Sequence, residues 1–264
     1  MRSPNIAYLA AIVTAANAGW AGSVIGDTTT TMMWLSGVSP LAVLEAYLPS
    51  FVALLIVGFP ATKLQQAYPP IIKNAHPHTR VDWVRVGIVS MMLSAGIATN
   101  VAINLWAPHL ADRIPCIGLA VWLAIAFSVP ARRPDREVLP ETVKGAAFLL
   151  CLVSSASMMP VESLPPATWH TTLMFGFVSS VFDNKPLTAL AIRQGGYDWG
   201  FLAYAVGVGG SMVWFGSSAG VALANQYPEA RSVWAWVRNS WFVPIAYVGG
   251  YLTLLAVMGW HPNR

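Results

Sequence analysis

From Thr168 to Phe182 the chain is almost wholly apolar. The group Asp183-Asn184-Lys185-Pro186 follows, and a shorter apolar arm runs from Leu187 to Ile192. Nothing else in the sequence restricts the fold as much. A charged group at bilayer depth costs at least about 2.5 kcal/mol on insertion scales. It is tolerated where the backbone turns and lines a polar cavity between protein elements. Pro186 suits the first turn of the second arm, where the amide it lacks has no helical partner anyway. Pro166 to Gln194 therefore reads as a re-entrant helical hairpin with its tip inside the membrane. The competing reading is one kinked transmembrane helix with an interior Asp–Lys pair.

Membrane residence follows from composition, since 56% of residues are hydrophobic and 10% charged, against about 25% charged in soluble domains. Long apolar runs favour helices over a barrel, which would alternate in segments of about ten residues. Cys116 and Cys151 lie in apolar runs without metal-ligand spacing and read as buried apolar residues. No small-residue cleavage site of a signal peptide follows the first run. The net charge of +4 reflects loop asymmetry and makes no case for nucleic acid. No nucleophile–base set or metal motif appears, so the chain does not read as an enzyme.

The first apolar run, Asn5 to Ala16, is too short to cross about 30 Å at 1.5 Å per residue. Glycines at 19, 22 and 26 break it, and Asp27 can cap a second half from Thr28 to Leu35, so 5–37 reads as one discontinuous helix. A closing helix is predicted over 41–61, a polar linker over 64–83, and spans over Val86–Trp106, Ile114–Val129 and Gly145–Met159. After the hairpin, 198–226 reads as a second broken helix, interrupted by Gly207 to Gly216, and 242–258 as a second closing helix. Trp234, Trp236 and Trp241 read as an interfacial belt. Gly22-Ser23-x2-Gly26-Asp27-Thr28 matches Gly210-Ser211-x4-Gly216-Ser217-Ser218 with two residues inserted. Paired broken helices point to an inverted-repeat transporter.

Charge fixes an orientation. The basic loops around 63–85 and 131–144 are separated by two spans and share a side, which the positive-inside rule makes cytoplasmic. With 166–194 entering and leaving outside, eleven Lys/Arg fall inside, three (Arg113, Arg193, Arg264) outside, and Lys185 in the tip. A full crossing would move Arg231 and Arg238 outward. The N-terminus is thus expected in the cytoplasm and the C-terminus outside.

Asn17-Ala18-Gly19-Trp20-Ala21-Gly22-Ser23-Val24-Ile25-Gly26-Asp27-Thr28-Thr29-Thr30 resembles a signature of bacterial NhaD-type sodium/proton antiporters. Ser179 to Thr188, with Asp183-Asn184-Lys185-Pro186-Leu187-Thr188, looks like their second-repeat hairpin, and Gly209-Gly210-Ser211 with Gly216 to Gly220 like the broken helix after it. The wider ion transporter superfamily also holds arsenite pumps and citrate and dicarboxylate carriers. The resemblance implies an all-α inverted-repeat secondary transporter in the bacterial inner membrane. It also implies one complete repeat, 84–264, and only the end of the other, 1–63. An N-terminally truncated chain is thus expected, lacking a first hairpin. Trp20 and Lys185 depart from the pattern, standing where Gly and an aliphatic residue are usual.

A dry cation site needs oxygen ligands, which broken helices and carboxylates supply. One expected cluster is Asp183, Asn184, Ser211, Ser217 and Ser218, with Lys185 beside it; the matching one is Asn17, Ser23, Asp27 and Thr28. A buried carboxylate that takes either a proton or Na+ is the minimal antiport mechanism. The competing readings are Asp27 as a helix cap alone and Asp183 as a salt-bridge partner of Lys185 alone. Thr99, Asn100 and Asn104 read as interhelical hydrogen-bonding groups. His76 and His78 have no further ligands near them in sequence, and His170 reads as interfacial. The first expectation is Na+/H+ antiport, with no cofactor beyond Na+ at Asp27 and Asp183. The alternatives are a citrate or dicarboxylate carrier, its substrate on the half-helix N-termini, or a fragment that works as a homodimer or with a partner chain. Lipid, Na+ and H+ are the other expected partners.

Overall fold

The computed structural model describes residues 4–68, 81–106, 114–133, 136, 139–158, 160 and 164–262, and among these it is helical without strands. His76, His78, Lys73, Arg80, Arg113 and Arg264 fall outside the described residues. Two compact units are present, one formed by 1–72 with 148–264 and a smaller one by 73–147. This division follows packing rather than chain order, so it cuts across the boundaries 1–63, 64–83 and 84–264 read from sequence.

In the larger unit, α1 (Ile6–Ala21) starts at Asn5, whose side chain accepts from the Ala7 amide, and stops at Gly22. Helix α2 (Thr28–Leu35) is capped by Asp27. Thr30 and Thr31 donate from its first turn to the carbonyls of Ser23 and Val24, at 2.6 and 2.8 Å, which fixes the non-helical link. The span expected as one helix over 41–61 instead comprises α3 (Pro40–Leu44) and α4 (Tyr47–Ala67). The interruption has a local cause: Pro49 has no N–H to give the Glu45 carbonyl four residues back. Helix α4 buries Ser50, Ala53, Val57, Ala61 and Gln65 along one stripe and exposes Phe51, Leu55 and Phe59 along another. An apolar residue pattern on the open face is what lipid contact requires. Pro40–Ala67 and Trp83–Ile103 are long and apolar enough to cross a membrane.

The stretch 166–194 folds as α8 (Trp169–Ser179) and α9 (Asn184–Gln194), joined by a four-residue tip. Thr168 and Thr171 form a capping box at the first foot. At the second foot Gln194 Nε2 donates to the Pro165 carbonyl at 2.8 Å, so the chain returns to the place where it set out. Helix α10 (Trp199–Gly209) is buried from Gly200 to Gly209 and forms the centre of the unit. Its N-cap Asp198 is itself buried and accepts from the amides of Gly200, Phe201 and His261.

Helix α11 (Ser218–Gln226) is followed by a 3₁₀ turn (Pro228–Arg231), α12 (Val233–Asn239) and α13 (Phe242–Met258), the last two meeting at 58°. Helix α4 packs along α13. Helix α1 packs on α4, α10, α11 and α12, while α10 packs on α2, α3, α8 and α13. Two tyrosines of α13 tie α8 to this frame, and a third, on α10, ties α10 to α13. Tyr247 donates to the Leu173 carbonyl at 2.8 Å, Tyr251 to that of Trp169 at 2.7 Å, and Tyr204 to that of Tyr247 at 2.9 Å. Glycine at 176 and 209 lets α8 and α10 touch: a Cβ on Gly209 would lie 2.4 Å from the Gly176 carbonyl oxygen. Of the expected tryptophan belt, Trp234 and Trp241 are exposed but Trp236 is fully buried. It lies on the inner side of α12, the helix that packs on α1.

The smaller unit contains α5 (Trp83–Trp106) and α6 (Cys116–Ser128), packed on each other. Asp82 begins α5 by accepting from the Arg85 amide at 3.1 Å, and its carboxylate pairs with Arg132 beyond the end of α6. The Arg85 amide, with both guanidiniums, holds the Asp82 pKa below the usual value. Helix α7 (Leu139–Ser157) follows in chain order.

Candidate functional site

Three irregular segments meet in the larger unit: the link 22–27 between α1 and α2, the hairpin tip 180–183, and the link 210–217 between α10 and α11. Each exists because a helix stops at glycine or serine and a polar cap starts another. Asp27, Asp183 and Ser217 all precede a helix and accept a backbone amide from its first turn. Gly216 lets the tip and the second link approach. A Cβ there would lie 2.6 Å from the Ser180 carbonyl oxygen and 2.7 Å from that of Gly210.

Asp27 is the hub. Its Oδ1 accepts from the Thr28 amide at 2.7 Å, and its Oδ2 accepts from Thr29 Oγ1 at 2.7 Å and from Asn184 Nδ2 at 3.3 Å. These are neutral donors. Among the described residues no cation forms an ion pair with Asp27. The second carboxylate has a different environment. Lys185 Nζ lies 3.2 Å from both oxygens of Asp183, and the lysine side chain is 9% exposed against 30% for the aspartate.

Asn17 completes the junction by donating from Nδ2 to Ser211 Oγ at 2.8 Å. Ser211 is fully buried. The two clusters expected from sequence are therefore not built separately. Asn17 and Asp27 of one join Ser211 and Asn184 of the other, across separations of 194 and 157 residues. Other sequence candidates stand at the margins. Ser23 supplies its carbonyl to Thr30, Thr28 is exposed and contributes its amide, Ser217 caps α11, and Ser218 is exposed.

Residues not singled out from sequence also take part. Buried Thr29 bonds the hub carboxylate directly. Buried Ser179 donates to the Val206 carbonyl at 2.8 Å, which fastens the end of α8 to α10. Thr29 was accessible to sequence reasoning, because a hydroxyl two residues past an Asp cap lies in reach of that carboxylate. Ser179 carried no such local signal. Among the described residues no group of three or more His, Cys, Asp or Glu is placed to hold a metal ion.

The arrangement offers one carboxylate without an ion-pair partner among the described residues, beside a side-chain amide and threonine hydroxyls. That chemistry suits a monovalent cation or a proton. Along most of its length the chain is similar to proteins named as sodium/proton antiporters. It is 26% identical to sodium/proton antiporter 1 of Arabidopsis thaliana over 285 residues, which is 95% of this chain and 48% of the relative. It is 26% identical to sodium/proton antiporter 2 of the same plant, covering 94% of this chain and 66% of the relative. It is 23% identical to the Na(+)/H(+) antiporter NhaD of Alkalimonas amylolytica, covering 94% and 59%. The resemblance read from the motifs thus extends over nearly the whole chain, which spans about half to two thirds of these relatives' length. No protein-family model and no solved structure matches it.

Proposed function

We propose that this chain carries out secondary active ion transport, exchanging Na+ (or Li+) for H+, with Asp27 as the group for which the two ions compete. The observation that carries this reading is the Asp27 carboxylate, which has no ion-pair partner among the described residues and joins the first helix break to the hairpin tip through Asn184. A cation bound there would neutralise the carboxylate, and so would a proton. One charge serving both ions couples their movements. The names of the relatives support the choice of ions, and they are names of transporters rather than enzymes.

The fold is read with this function as an inverted-repeat transporter. In support, α1 packs on α11 and α12 much as α10 packs on α2 and α3, and each first half-helix is followed by a capped second half. In the same reading 166–194 is re-entrant, entering and leaving on the outer face of an inner, multi-pass membrane protein. Its two feet are joined by the Gln194–Pro165 hydrogen bond, and its tip reaches Asp27 through Asn184.

The test is transport in everted vesicles from antiporter-deficient cells. Na+ should dissipate an acid interior when the chain is present, and Asp27→Asn should abolish the response. The same pair is assayed in a chimera where this chain replaces the matching part of a longer relative. Activity that survives Asp27→Asn in the chimera, or a chimera without any Na+ response, would sink the proposal.

A further inference from the structure

Between α5 and α6 of the smaller unit lies a cleft of about 380 Å³ whose two ends differ in chemistry. Arg85, Arg132 and Arg133 line one end. Asp82 is the acid facing them among the described residues. It pairs with Arg132 and lies 3.7 Å from Arg85 Nε, while Arg133 makes no ion pair among the described residues. Among the described residues, one carboxylate against three guanidiniums leaves a surplus of two positive charges. The other end is apolar, walled by Ile88, Val89, Met92 and Ile125. Ser128 sits between, but its hydroxyl is already donated to the Ile125 carbonyl at 2.7 Å.

The depth of these groups is set by α5, which is long and apolar enough from Trp83 onward to cross a membrane. Arg85 stands in its first turn, while Ile88, Val89 and Met92 lie about 5 to 10 Å further along the axis at 1.5 Å per residue. Trp83 at the start of α5 and Phe127 near the end of α6 are both exposed, at 76% and 77%. Aromatic residues so placed suit the border between headgroups and hydrocarbon. Guanidiniums therefore stand at headgroup level, and apolar walls run inward from them.

We propose that this cleft binds an anionic phospholipid, with the phosphodiester on the arginine rim and the upper acyl chain along Ile88, Val89, Met92 and Ile125. The guanidinium fork matches phosphate oxygens in pairs, and the surplus charge favours a lipid with net negative charge over a zwitterionic one. The apolar walls separate this ligand from a free phosphate ion, which would use the rim alone. The site is distinct from Asp27 and independent of which ion the chain moves.

Retention of lipid by the purified full chain, read by native mass spectrometry, tests this. Phosphatidylglycerol should be kept in preference to phosphatidylcholine. Arg132→Gln with Arg133→Gln should remove the preference, at about fivefold per charge lost. Asp82→Asn, which keeps an oxygen to begin α5, should raise retention by about the same factor. This second variant decides the matter if the double arginine variant does not fold. Inorganic phosphate at matched concentration should not displace the lipid. Equal retention of the two lipids, unchanged retention in Asp82→Asn, or displacement by phosphate would each overturn the proposal.

Discussion

Lys185 decides how the two carboxylates of the junction differ. Its ammonium occupies the place beside Asp183 where a bound cation would otherwise sit, 3.2 Å from both oxygens. We predict that Asp183 does not bind Na+ while this pair is intact, and that Asp27 is the group on which transport depends. Lys185→Ile should then change Na+ affinity and its pH profile, measured in vesicles. An unchanged profile would mean that Lys185 does not fill the site. The same change strands a carboxylate that is only partly exposed, so stability should fall by about 2 kcal/mol, less than for a fully buried pair. Ser211→Ala removes the acceptor of Asn17 and leaves a side-chain amide without its partner. A loss of about 1 to 2 kcal/mol in thermal or denaturant unfolding is expected. A loss near zero would show that the Asn17–Ser211 bond adds nothing to the junction.

At the level of elements, the two arms of the hairpin are fastened differently. Helix α8 is held by Tyr247 and Tyr251 through its own carbonyls, and by Ser179 at its far end. Helix α9 is tied at its foot through Gln194 and at its tip through Asn184. Tyr247→Phe should therefore loosen α8 by about 1 kcal/mol, the value of one hydrogen bond, while retaining the ring packing. Gly176→Ala should cost more, about 1 to 3 kcal/mol, since its Cβ would lie 2.0 Å from the Tyr247 hydroxyl. Unfolding of both variants in detergent ranks them, and the reverse order would refute the close-approach argument. Each cap along the chain is likewise a local device: Asp27, Asp183 and Ser217 stop the backbone from continuing where it must unwind.

For the whole molecule, apolar residues on the open face of α4 and around the α5–α6 cleft make sense only against hydrocarbon. Lys63 marks the edge, its ammonium 4.3 Å from the Phe59 ring centre, as a snorkelling lysine would. The re-entrant reading of 166–194 has a topological consequence. With Cys116 and Cys151 replaced by serine, single cysteines at Arg133 and Arg231 should react with an impermeant thiol reagent from the cytoplasmic side, and one at Arg193 from the outer side. Labelling of Arg231 from outside would show that the stretch crosses the membrane fully.

Sequence by itself determined what depends on residues a few positions apart. Glycines at 22 and 210 with Asp27 and Ser217 downstream marked both helix breaks, and Asp183-Asn184-Lys185-Pro186 marked the hairpin tip. Pro49 held the cause of the α3–α4 interruption, although the stretch reads as a single apolar run. These features were legible because caps, prolines and glycines act on backbone groups within one helical turn. Tertiary structure alone decided that Asp27 meets Asn184 and Asn17 meets Ser211, since nothing local distinguishes one polar partner from another across such separations. It decided that Trp236 turns inward, because an amphipathic aromatic suits an interface and a packed core equally well. It also decided that Lys185 folds back on Asp183. A flexible four-carbon stem reaches either the carboxylate or the outer mouth, and only the buried surroundings of the tip select the carboxylate.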